Sequence, residues 1–125
     1  MVLAFHNINI DQARIAQLMN IPEDPEQGGV GSNAQLPVYT QLSAGQLRIM
    51  PDNTPTVAEC IAEIHAGRPL KSGRAQHARV FGGWCDTEYG VMYQVFDPYP
   101  VDQGKIGYEN PKVIYSLNFV YAHPV

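Results

Sequence analysis

Apolar residues recur along this chain first at helical and then at strand-like spacing. The opening run Met1-Val2-Leu3-Ala4-Phe5-His6 reads as the end of a helix that began upstream, stopped at Asn7. A second helix is expected over residues 10–19. Asn9 caps it, Gln12 is the capping-box partner, and Ile8 staples against Ala13. Ile15, Leu18 and Met19 form its apolar stripe, ended by Asn20 and Pro22. Residues 22–35 read as a long polar loop, and 36–50 are ambiguous, with a short strand at Gln46–Met50. The next helix has the clearest signals. Thr54 is its cap, Pro55 suits the first helical position, and Thr56 and Glu59 have capping-box spacing. Val57, Cys60, Ile61 and Ile64 repeat on one face until Gly67.

Beyond Gly67 the period changes. Ala78–Trp84 is apolar at nearly every position, as in a central strand buried on both faces. A polar turn is expected over 85–90 and a second strand over Val91–Phe96. The run Asp97-Pro98-Tyr99-Pro100 ends that strand, because proline has no N–H for the ladder. Val113, Tyr115, Leu117, Phe119 and Tyr121 alternate with more polar neighbours, the period of a half-buried antiparallel strand. Helices first and antiparallel strands last predict an α+β domain spanning residues 1–125, with amino-terminal helices packed on a small sheet formed by the carboxy-terminal half.

Composition narrows the function classes. With 125 residues, 45% hydrophobic and 16% charged, the chain is globular and can bury a core. Ten prolines and eleven glycines add many turns. A net charge of -4 argues against a nucleic-acid partner. The local basic cluster of Arg68, Lys71, Arg74 and Arg79 reads as a solvated loop and strand edge. No apolar run approaches the ~20 residues of a membrane span, and the start has neither the charged region nor the cleavage site of a signal peptide. Two cysteines, Cys60 and Cys85, make no disulfide framework, and neither has a neighbour at metal-ligand spacing. The set His65, His77, Cys85 and Asp97 has no recognisable metal spacing, and no cofactor is expected.

The chemistry concentrates at His77 and Asp97, twenty residues apart. If the strands holding them pair through the 85–90 turn, the start of one lies beside the end of the other. A carboxylate on one imidazole nitrogen fixes the tautomer and leaves the other nitrogen to take a proton. That is a base with its orienter, two thirds of a nucleophilic triad. The alternative is a surface histidine and a turn-forming aspartate. His65 reads as a surface residue compensating the helix dipole. Gly82-Gly83 reads as a bulge. Trp84, Tyr89, Tyr93, Tyr99 and Tyr108 suit a core or a substrate groove.

The runs Gln76-His77-Ala78-Arg79-Val80-Phe81-Gly82-Gly83-Trp84 and Tyr93-Gln94-Val95-Phe96-Asp97-Pro98-Tyr99-Pro100 resemble the second half of papain-like bacterial cysteine peptidases. The branches most alike are the staphopain-like enzymes and the double-glycine leader peptidases. Ala66-Gly67-Arg68-Pro69 after a helix, and Met1–His6 followed by Ile10-Asp11-Gln12 and Ile15-Ala16, resemble other parts of the same group. The resemblance covers most of the chain apart from roughly 22–53. It implies a papain-like fold, with His77 as general base and Asp97 as its orienting partner. It also implies a peptide or protein substrate cleaved by a Cys-His-Asp triad. In that family the cysteine lies several residues before the position of Met1, with an oxyanion-hole glutamine further upstream. The expectation is therefore a domain truncated at its amino end and inactive as it stands. The alternative is a non-catalytic peptide- or protein-binding module of the degenerate leader-peptidase type. Cys85 lies eight residues from His77, about 26 Å at ~3.3 Å per residue, too far to substitute. Cys60 falls on an apolar helix face, and Ser72 and Ser116 have no better case. The opening apolar run, if uncovered, predicts self-association into a homo-oligomer.

Overall fold

The computed structural model describes residues 1–21, 32–74, 77–100, 102–110 and 118–125. Among the described residues, four helices, α1 (Val2–Phe5), α2 (Gln12–Met19), α3 (Ser32–Leu42) and α4 (Val57–His65), accompany six strands. The strands are β1 (Leu47–Asp52), β2 (Leu70–Arg74), β3 (His77–Thr87), β4 (Gly90–Asp97), β5 (Lys105–Glu109) and β6 (Asn118–Pro124). They form one sheet in the order β1-β6-β2-β3-β4-β5, every neighbouring pair antiparallel. The α+β class expected from the pattern is the one observed.

Local chemistry explains most element ends. Thr56, not Thr54, caps α4. Its hydroxyl accepts from the Glu59 N–H while the Glu59 carboxylate accepts from the Thr56 N–H, a closed capping box. Thr54 instead donates its N–H to Asp52. Asp11, not Asn9, caps α2 by accepting from the Arg14 N–H at 2.7 Å. Helix α3 replaces the end of the expected loop and the ambiguous stretch after it. Its internal Pro37 hides a helical pattern whose Val38, Tyr39 and Leu42 face the core. Strand β3 runs on to Thr87, which pairs with Gly90, so the 85–90 turn contracts to Glu88 and Tyr89. The register slips between Phe81 and Gly83, the bulge that Gly82-Gly83 predicts. Strand β5 has no counterpart in the sequence reading. Of the expected strand through Val113–Tyr121, residues 118–121 lie in β6 and 113–117 lie outside the described residues.

Alternation along paired strands assigns the two faces of the sheet. One carries Leu70, Phe81, Tyr93, Val95 and Phe119, packed against Cys60 and Ile64 of α4. The other carries Leu47, Ile49 and Ala122, packed against Val2, Leu3 and Ile8 and against Tyr39 and Leu42 of α3. Helices thus cover both faces rather than one. The sheet also draws β1 from ahead of α4, so it is not built from the carboxy-terminal half alone. Leu3 of the opening run is buried, whereas Met1 and Phe5 are exposed. Among the described residues no helix is long and apolar enough to cross a membrane.

Candidate functional site

Strands β2 to β5 bring four charged or titratable residues to one rim of the sheet. Arg74 pairs with His77 across β2 and β3, and Asp97 pairs with Lys105 across β4 and β5. Between them, His77 Nε2 stands 2.9 Å from Asp97 Oδ1. This is the juxtaposition expected from the spacing of the two strands. The same Oδ1 accepts the Tyr99 N–H at 2.9 Å, which holds the carboxylate in one orientation. The His77 side chain is 33% exposed and that of Asp97 14%, so the imidazole is reachable while its partner is covered.

The electrostatics at Asp97 oppose one another. Burial raises its pKa, whereas the Tyr99 N–H, the His77 hydrogen bond and the charges of His77 and Lys105 lower it. The lowering influences prevail, and the carboxyl lies below its ordinary value. An ionised Asp97 only accepts, so Nε2 of His77 donates and the unprotonated nitrogen of the neutral ring is Nδ1. Gly104 passes close to the Asp97 backbone. It sits at φ +62, and a Cβ there would stand 3.1 Å from the Asp97 carbonyl oxygen.

A second histidine–carboxylate contact escaped the sequence reading. Glu63 of α4 accepts two hydrogen bonds from Arg68 and also meets His123 Nε2 of β6 at 2.9 Å. Sixty residues separate Glu63 from His123, and no local motif joins them. The Arg68 fork already neutralises this buried carboxylate, which suits a counter-ion tying α4 to β6 better than the orienter of a base. The Glu63 carboxyl lies below its ordinary value, chiefly through the Arg68 bond, with burial opposing and His123 assisting. A depressed folded-state pKa gives stability that is present above the unfolded value and lost as pH falls through the folded one. Glu63→Gln is therefore expected to be less stable than the parent near pH 7 and to lose less stability on acidification to about pH 3. Thermal melts of both chains across that range check this.

Other expected residues fall elsewhere. His65 is exposed in the last turn of α4, as expected, and its ring also stacks on Trp84 at 5.3 Å while its Nε2 meets the Tyr93 hydroxyl at 3.0 Å. Arg79, expected in solvent, is 6% exposed. Its guanidinium lies 5.3 Å from the Phe81 ring centroid and pairs with Glu109, and this cation–π and ion-pair environment accounts for its burial. Tyr93 is core, while Trp84, Tyr89, Tyr99 and Tyr108 are exposed. No group of three or more His, Cys, Asp or Glu residues among those described is arranged to hold a metal ion.

Neither cysteine serves the rim. Cys60 is fully buried on the core-facing side of α4, where desolvation pushes its thiol up to about 12. Cys85 pairs with Met92, well along β3 from His77. Both are free thiols. A chromogenic disulfide reagent at about pH 8 is expected to react promptly with one thiol per folded chain, that of Cys85, and with two after denaturation. Ser72 is fully buried, and Ser116 lies outside the described residues.

Comparison of the chain with protein-family models, with curated proteins and with solved structures gives no match.

Proposed function

We propose that His77 and Asp97 are the general base and the orienting acid of a papain-like cysteine peptidase domain. The observation that carries this reading is the 2.9 Å contact between His77 Nε2 and Asp97 Oδ1 at an accessible rim. In this reading Nδ1 takes the proton of a cysteine thiol and the thiolate attacks a peptide carbonyl. The imidazolium then gives that proton to the leaving amine, and water releases the acyl group from sulfur with His77 as base again.

The thiol belongs to neither Cys60 nor Cys85 and, as the resemblance implies, stands ahead of Met1. Met1 and Val2 line a cavity of about 230 Å³ together with Ala78, Ile49 and Ala122. Ala78 alternates with His77 along β3, so this cavity and the opening run lie on the face of the sheet away from the pair. The test is a chain extended upstream through its cysteine, assayed on peptide substrates with and without His77→Ala. The substitution is expected to abolish most hydrolysis; equal activity in the two chains removes the proposal.

A second reading, a non-catalytic peptide-binding module, is favoured by the separation of both internal cysteines from the pair. It uses the same rim as a groove. An in-frame cysteine ahead of Met1 in the gene favours the enzyme, and a stop codon at that place favours the module.

A further inference from the structure

The four-strand rim carries more than the histidine and its acid. Arg74 stands opposite His77 and Lys105 opposite Asp97, in registers that run without a break through both pairs. Residues directly opposite in an antiparallel pair project from the same face. The two cations therefore flank the dyad, one on each side, on the face of the sheet that presents it. Across three strand spacings and a two-residue offset along the strands, their backbones lie about 16 Å apart, roughly the reach of five extended residues.

Both side chains are exposed, and neither has a hydrogen bond or ion pair to a described residue. The neighbouring Arg79 differs, since Glu109 already neutralises it. In a chain of net charge -4, two such cations beside a reactive imidazole run against the overall sign. Asp97 is turned onto His77 and the Tyr99 N–H. Asp97, opposite Lys105 and within reach of its charge, and Asp102, three residues ahead of Lys105 in the sequence, limit the effect.

We infer that this rim selects acidic peptides: an extended segment crosses it with Asp or Glu side chains on Arg74 and Lys105, and its central residues over His77. The inference rests on His77 and Asp97 being the working pair and names the ligand class of that same site.

Binding to the chain as it stands provides the test. Two capped hexapeptides are titrated against ¹⁵N-labelled protein, one with Glu at the flanking positions and one with Gln there. The His77 imidazole resonances serve as the reporter. At low salt the Glu peptide is expected to bind about tenfold more tightly, with the gap narrowing as salt screens the exposed charges. The double variant Arg74→Gln/Lys105→Gln is expected to bind both peptides as weakly as the parent binds the Gln peptide, with an unchanged circular dichroism spectrum.

Equal affinities in the parent, a preference that survives the double variant, or tight binding that leaves His77 unmoved would each overturn the inference. No detectable binding of the Glu peptide at millimolar concentration would do the same. Failure of the peptidase reading shows elsewhere, as undiminished hydrolysis by the extended His77→Ala chain.

Discussion

Exchange of Asp97 for asparagine, in a chain that carries its nucleophile, is expected to lower kcat/KM by roughly two to four orders of magnitude. The amide keeps the size and shape of the carboxylate, and with its carbonyl at the Oδ1 position it still accepts the Tyr99 N–H. It changes what His77 Nε2 meets. With its carbonyl toward the ring, the amide accepts the same hydrogen bond but supplies no negative charge to stabilise the imidazolium. With its amino group toward the ring, it forces the proton onto Nδ1, the nitrogen that has to take the thiol proton. The first outcome weakens the base and the second removes it, in each case leaving the histidine in place, so folding and peptide binding are expected to survive. Steady-state kinetics with a circular dichroism control check this. A loss under threefold would mean that Asp97 does not orient His77 in the reaction.

Phe81→Ala is expected to cost about 3–5 kcal/mol of stability. Phe81 is fully buried at the centre of the cluster formed by Cys60, Ile64, Leu70, Tyr93, Val95 and Phe119. It meets Phe119 edge to face at 6.4 Å, and its ring supports the guanidinium of Arg79. Truncation opens a cavity and also takes away the aromatic face on which a buried cation rests. Against a typical stability of about 5–15 kcal/mol, the variant should be marginal near room temperature. Tyr89→Ala, at the exposed tip of the β3–β4 hairpin, should change stability by less than about 0.5 kcal/mol. Urea unfolding of the three chains measures both effects. A Phe81→Ala midpoint within error of the parent would contradict this account of the core.

The contact between His77 and Asp97 was legible because it depends on two local features. An unbroken apolar strand and a proline-stopped strand, joined by a short turn, leave few possible registers. The capping box at Thr56 and Glu59 was legible for the same reason, since its whole signal lies within four residues. What escaped depends on distant residues. Glu63, Arg68 and His123 meet only because β6 lies beside β2 and beneath α4. Arg79 looked like a surface residue because its counter-ion, Glu109, is on a strand whose sequence Lys-Ile-Gly-Tyr-Glu carries little strand pattern. Pro37 disguised α3. The flanking role of Arg74 and Lys105 likewise emerges from register, because Lys105 belongs to the unanticipated β5.

The pairing of His77 with Asp97 makes one nitrogen the donor and leaves the other as the base, and the tautomer reports this most directly. Long-range ¹H–¹⁵N spectra of the chain at a pH where His77 is neutral are expected to show Nε2 protonated and Nδ1 bare. The Asp97→Asn spectrum should differ at both nitrogens. A parent ring protonated at Nδ1, or resonances that ignore the loss of the Asp97 charge, would contradict the account.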